Sequence, residues 1–180
     1  MARPPHARDR ALQAFIHLVV DGGDRAATIE AVAAKAGISR GGLLYHFRSR
    51  EALITASLDL LRELAASEVE SMRAAPEGAA RMYIRTSLFE GTDYDYAIQA
   101  AVRLTQSGND AARTAMREVL EQWRAAIRDD VGDEGVAAAV WNMGEGLYHL
   151  AAIGLLPEGE DARQALVAQL LAQVDKLDPR

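Results

Sequence analysis

Residues 28–53 read TIEAVAAKAGISRGGLLYHFRSREAL. Ile29, Val32, Ala33 and Ala36 repeat at the spacing of one helical stripe, and Thr28 ahead of them is a residue type that caps helices. Gly37 takes a positive φ at little cost, so the chain can reverse there. Ser39 is a second cap and opens a short helix ending near Phe47. Two short helices joined by a tight turn are a helix-turn-helix. Ala33 and Ala36 are small enough to let the helices cross closely, and Ile29, Val32, Ile38 and Leu43 can pack the crossing. The second helix then shows Ser39, Arg40, Gly41, Gly42, Tyr45 and His46 outward. Hydroxyl, guanidinium, phenol and imidazole groups suit a phosphate backbone and base edges, and the glycines permit close approach. Phe47 is expected in the core of this head.

Outward from this stretch the helical period continues. Upstream, Leu12, Phe15, Ile16 and Val19 make one stripe that Gly22-Gly23 ends. Downstream, Ser49 and Glu51 suit the start of a long fourth helix with Leu53, Ser57, Leu60, Leu61 and Leu64 inward, running to about Arg73. Pro76 suits the first turn of a fifth helix through about Phe89, and Gly91 to Asp95 reads as a loop. A sixth helix covers about Tyr96 to Gln106, and a seventh runs from Asn109 or Asp110 to about Val131. Asp133 opens an eighth with Val136, Val140, Met143, Leu147 and Leu150 as its apolar line. After Pro157 and Gly159 a last helix turns Leu166, Val167, Leu170, Leu171, Val174 and Leu177 inward. No stretch alternates as a strand would. The ends, residues 1–7 and 178–180, are expected to fray.

Composition narrows the class. The chain has 180 residues, 49% of them hydrophobic, so it can bury a core. It has no cysteine, which excludes disulfides and thiolate metal sites. Residues 1–50 carry eight basic and four acidic side chains, a net +4, while the whole chain is at −6, leaving −10 on residues 51–180. A basic head on an acidic body suggests that the head alone meets a polyanion. The apolar run Ala11 to Val20 is broken by Gln13 and His17, and Leu147 to Leu156 is about half a membrane span. A soluble, cytoplasmic chain with no membrane partner is therefore expected. His6, His17, His46 and His149 are not at metal-ligand spacing. Asp129-Asp130 and Asp133-Glu134 flank a helix break and read as caps and solvated charge. No catalytic residue, metal or cofactor is expected, and an enzyme is not.

The 28–53 stretch resembles the DNA-binding signature of the tetracycline-repressor family. It carries Thr28, Ala36-Gly37, Ser39-Arg40-Gly41, Tyr45-His46-Phe47 and Ser49-Arg50-Glu51-Ala52-Leu53 at the family's spacing. It departs from the commoner pattern at Gly42 and Leu44, where Thr and Tyr are usual. The helical period along the chain predicts an all-α fold of about nine helices, and the resemblance agrees with it. A three-helix helix-turn-helix domain, residues 1–48, would precede a helical-bundle ligand-binding and dimerisation domain, residues 49–180. It implies that Thr28 and Ser39 meet phosphate, that Arg40 reaches base edges or phosphate, and that Gly41 and Gly42 allow close approach. Tyr45 and His46 would contact phosphate or base, and Arg50 would hold the DNA backbone.

For the body, the aromatic residues are grouped on helices five to eight, and bundles often place ligands between helices. The resemblance implies a small-molecule effector there, mostly apolar. Tyr83, Phe89, Trp123, Trp141 and Tyr148 are candidate lining residues, with Asn142, Glu145 and His149 as polar handles. Ordinary core packing is the competing reading for each. Gly144, Gly146, Gly154 and the alanines of the eighth helix suit a flat, close surface, so helices eight and nine are expected to form a homodimer. The function implied is a dimeric regulator, a repressor by default, that binds a palindromic operator in double-stranded DNA and is released by its effector. A helical protein-interaction module that does not bind DNA, or a regulator without a ligand, would share much of this pattern.

Overall fold

The structure, a computed structural model, describes residues 6–178. Among them are nine α-helices and no strand: α1 Ala7–Gly22, α2 Ile29–Ala36, α3 Arg40–His46, α4 Arg50–Ala74, α5 Ala79–Thr86, α6 Asp93–Gln106, α7 Asp110–Val131, α8 Glu134–Ala152 and α9 Glu160–Leu177. One 3-10 turn, Asp24–Ala26, precedes α2. Residues 1–5 and 179–180, part of the ends expected to fray, lie outside the described residues, and Ala7 already opens a helix.

The chain packs as two compact units, residues 1–64 with 91–118, and residues 65–90 with 119–180. In the first, α1 packs against α2, α3 and α6. Phe15, Ile16, Val19, Val32, Leu43, Leu53, Leu61 and Leu104 are fully buried, and Phe47 is buried as expected. Each such side chain contributes roughly 1.5–3 kcal/mol by leaving water. Ser57, also buried, satisfies itself by donating to the Ile54 carbonyl at 2.8 Å.

Local chemistry sets the helix starts. The hydroxyls of Thr28, Ser39 and Ser49 accept the amides of Ala31, Gly42 and Ala52 at 3.1, 3.0 and 3.2 Å. Asn109 and Asp133 do the same for α7 and α8, each replacing one of the bonds a helix start lacks. Gly37 closes α2 in the left-handed region, at φ 65°.

Three helix boundaries differ from the sequence reading. Pro76 does not open α5. It lies in a turn closed by the Gly78 amide on the Ala75 carbonyl, and α5 starts after it, at Ala79. The Asp130 carboxylate supplies the missing cap by accepting the Ala80 amide at 2.9 Å. Gly78, at φ 90°, has no room for a Cβ, which would lie 2.7 Å from Asp130 Oδ2. At its far end α5 stops at Thr86 rather than Phe89, because Thr86 and Ser87 donate their hydroxyls to the carbonyls of Met82 and Tyr83. Helix α6 begins three residues before Tyr96, inside the expected loop. There Thr92 and Asp95 form a reciprocal capping box that buries the Asp95 carboxylate.

In the second unit α5 packs on α8 and α9. The buried line of α8 is Ala137, Val140, Gly144 and Leu147, whereas Val136 and Met143 are half-buried and Leu150 is exposed. Gly144 corrects the expectation that this glycine serves an external surface. A Cβ there would stand 2.3 Å from Tyr83 Cε1 and 2.8 Å from Ser87 Oγ, both on or beside α5. Gly154 is likewise a turn residue: at φ 70° it ends α8, and the Leu155 amide reaches back to the Leu150 carbonyl. On α9 only Val167 and Val174 of the expected inward residues are buried, and Leu177 is exposed.

The Gly144 contact makes a stability prediction. Gly144→Ala forces α5 off α8 and lowers unfolding free energy by about 1–3 kcal/mol, the usual cost of overpacking. Urea denaturation followed by circular dichroism reads it, and an unchanged midpoint would show that the close approach is not needed.

Candidate functional site

In the first unit, α2 and α3 meet across the Gly37 turn. Thr28, Ser39, Arg40, Gly41 and Tyr45 are all exposed, while Gly42, His46 and Arg50 are half-buried. Tyr45 is 85% exposed, an uncommon position for so large an aromatic side chain. Its ring meets that of His46 edge-on, centroids 5.2 Å apart. Arg40 Nε lies 3.3 Å from Glu30 Oε1, an ion pair between the first turns of α2 and α3. Arg40 itself is the first residue of α3, so a guanidinium stands at that helix's positive end, an arrangement suited to phosphate. Gly41 opens onto free space, whereas a Cβ at Gly42 would press on the Ser39 hydroxyl at 3.3 Å.

Arg50 is placed differently from an exposed phosphate clamp. Its Nη2 donates to the Asp24 carbonyl at 2.7 Å and to the Asp24 carboxylate, and Nε donates to the Ala27 carbonyl at 3.2 Å. The guanidinium also stands 5.9 Å above the Phe15 ring. Asp24 and Glu30 are thus parts of the site that the sequence did not mark. No spacing rule pairs either of them with an arginine so far along the chain.

In the second unit the aromatic candidates separate into groups. Tyr83 is buried and donates its hydroxyl to Glu145 Oε1 at 2.8 Å, and its ring lies 6.3 Å from that of Trp123. Phe89 and Tyr148 pair at 6.3 Å. Trp141 carries the Arg124 guanidinium 5.3 Å above its ring, and its buried indole N–H makes no hydrogen bond among the described residues. Asn142 and His149 are exposed, and Asn142 donates to its own helix at Ala138, 2.7 Å away. Burial pushes the Glu145 carboxyl above its ordinary value, and the Tyr83 hydroxyl only partly opposes this.

The arrangement of α1, α2 and α3 with an exposed, hydroxyl- and arginine-bearing third helix defines a helix-turn-helix DNA-binding regulator. Residues 12–56 match the family described as bacterial regulatory proteins, tetR family, and residues 77–175 match the tetracyclin repressor-like C-terminal domain. No curated protein matches the chain. Solved structures share its fold. One is the multidrug binding protein EbrR complexed with malachite green, with 22% identity, 98% of this chain and 100% of that chain covered, and a TM-score of 0.72. A transcriptional regulator from Streptomyces coelicolor A3(2) has 19% identity, the same coverage and a TM-score of 0.69. Salmonella enterica GusR has 18% identity, 100% and 99% coverage and a TM-score of 0.62. The chain belongs to the tetracycline-repressor family of transcriptional regulators, with a DNA-binding helix-turn-helix and the family's helical C-terminal domain. Among the described residues no helix is long and apolar enough to cross a membrane.

Two predictions follow the geometry. Glu30→Gln frees Arg40 and removes a negative charge from beside the first turn of α3, so affinity for DNA is expected to rise roughly two- to five-fold, in line with the ~0.2–1 kcal/mol of an exposed pair. Fluorescence anisotropy at fixed salt measures it, and weaker binding would mean that Glu30 positions Arg40 productively. For Glu145, a raised folded pKa means that the charged form opposes folding above that pKa. Glu145→Gln therefore raises the melting temperature at pH 7, and the difference closes as the pH falls below the ordinary carboxylate range. Equal melting curves at pH 7 would sink this reading.

Proposed function

We propose that the chain is a repressor that binds a palindromic operator as a homodimer and is released by a small-molecule effector. The observation that carries the DNA half is the exposed group of Thr28, Ser39, Arg40, Gly41 and Tyr45 around the paired starts of α2 and α3. In this reading Thr28 and Ser39 take phosphate beside their helix ends, and Arg40 reads base edges or phosphate. Tyr45 and His46 touch the backbone or a thymine methyl. Gly41 and Gly42 let the DNA backbone come close. Arg50 acts chiefly by bracing the head, with Nη1 left to reach a phosphate. Residues 1–48 are the reading module, and residues 49–180 bind the effector and the partner copy. The regulator works in the cytoplasm, where its DNA is.

The dimer is formed by α8 and α9. Leu150, Ile153, Leu155 and Leu177 are exposed at the ends of these helices, at 40, 52, 68 and 42%, and a second copy would cover them. Two recognition helices then fall about one turn of DNA, ~34 Å, apart. The effector sits among Tyr83, Trp123, Glu145, Phe89 and Tyr148, with Trp141 near by. It need only bind the state that does not fit the operator more tightly than the state that does. Helix α4 begins directly after the reading module and continues unbroken into the second unit, so it is the element to carry the change.

The test is a gel shift with the DNA upstream of the chain's own gene. A specific band at moderate salt is expected. Arg40→Ala weakens it by about 1–3 kcal/mol, and the affinity falls steeply with added salt. Absence of any band that survives competitor DNA would refute the operator reading.

A further inference from the structure

Arg50 leaves a part unfilled. It is half-buried and donates to the Asp24 carbonyl and carboxylate and to the Ala27 carbonyl, so most of its donors are turned into the head. Other cations of the head are engaged in the same manner. Lys35 pairs with Asp21, Arg40 with Glu30, and Arg10 donates to the Ala36 carbonyl. Arg8, Arg25 and Arg48 differ. All three are exposed, and none meets a carboxylate or a carbonyl among the described residues.

Two of these three belong to the far end of α3. Phe47 closes that helix and is buried, and the Arg8 guanidinium stands over its ring, 5.1 Å from the centroid. Arg48 is the next residue, in the connection between α3 and α4. Helix α3 has seven residues and is about 10 Å long, so Arg40 at its start and Arg48 past its end bracket the exposed Tyr45. Arg8 is also poorly placed for a charge that meets only water. It is the second residue of α1, at the positive end of that helix, and the N-cap His6 supplies no side-chain acceptor. Asp9, adjacent in sequence, does not face it on a helix. A cation there is disfavoured until an anion comes to it.

We propose that Arg48, with Arg8, is the main clamp on the DNA phosphate backbone at the end of α3, the part that Arg50 leaves open by bracing the head. This rests on the operator reading above and adds contacts to it. The Phe47 ring holds the Arg8 guanidinium by cation–π attraction, so its donors are set in place before DNA arrives. Arg48 reaches out on an unanchored stem. Guanidinium forks match phosphate oxygens in geometry and charge. Contacts of this kind carry no sequence information; they fix the register of α3 and strengthen binding to any duplex.

The test is fluorescence anisotropy of the full-length chain over a salt series with two labelled duplexes, the upstream DNA of the gel shift and a mixed-sequence duplex of equal length. Arg8→Gln and Arg48→Gln remove the charge and keep much of the stem. Each should weaken both duplexes by a similar factor, roughly fivefold at moderate salt, and reduce the slope of log affinity against log salt by about 1. Arg48→Lys should restore the slope, since a phosphate also accepts a point charge. Arg117→Gln, at an exposed position on α7, removes the same charge elsewhere and should leave the slope as it is. Thermal melting separates a loosened head from a lost contact: Arg50→Gln should lower the melting temperature most. An unchanged slope in either the Arg8 or the Arg48 variant, or a larger slope loss in Arg50→Gln than in Arg48→Gln, overturns the inference while the operator reading stands. If the unaltered chain binds neither duplex, both fall.

Discussion

A guanidinium with five N–H donors can tie together backbone that no regular secondary structure joins. Arg50 does this at the base of the head. From the first residue of α4 it reaches the carbonyls of Asp24 and Ala27 and the Asp24 carboxylate, in the short connection between α1 and α2. That connection ends at Thr28, the cap of α2, and α2 sets α3 through the Gly37 turn. The orientation of α3 thus depends on a contact made by a helix that lies outside the helix-turn-helix itself. The contact is half-buried, so loss of either partner leaves polar groups unpaired where water only partly replaces them. Arg10, donating from α1 to the Ala36 carbonyl at 3.3 Å, closes the other end of α2 in the same way.

The same logic of local satisfaction explains what could be read from the sequence. Helix starts marked by a hydroxyl, carboxamide or carboxylate followed by a regular apolar stripe, as at Thr28, Ser39, Ser49, Asn109 (or its neighbour Asp110) and Asp133, are legible because cap and stripe lie within a few residues of each other. Thr92 is as good a cap, but Gly91 and two aspartates around it resemble a loop, and only the reciprocal bond from Asp95 turns them into a helix start. The start of α5 was not legible at all. Its cap is Asp130, fifty residues away in the chain. On α8 Val140 and Leu147 are buried as expected, but small residues, Ala137 and Gly144, are inside where bulk suggested their neighbours Val136 and Met143.

For the sites, residue type was readable and partnership was not. Exposure of Ser39, Arg40 and Tyr45 follows from their position on a short amphipathic helix. That Arg40 meets Glu30, that Arg50 turns back on Asp24, and that Tyr83 bonds Glu145 are matters of tertiary approach. So is the separation of Asn142 and His149 from the aromatic groups: both lie on α8, but on its outward side.

The two glycines of the recognition helix have a consequence for dynamics. Helix α3 has seven residues, and Gly41 and Gly42 fall in its first turn. Each weakens a helix by ~1 kcal/mol relative to alanine, against a single hydroxyl cap from Ser39. The first turn of α3 is therefore held with less intrinsic helix preference than the rest of the head. Docking must then freeze it. Ordering that turn is part of the cost of binding anything at this face, and a first turn with two glycines is re-shaped at lower cost than one built from alanines.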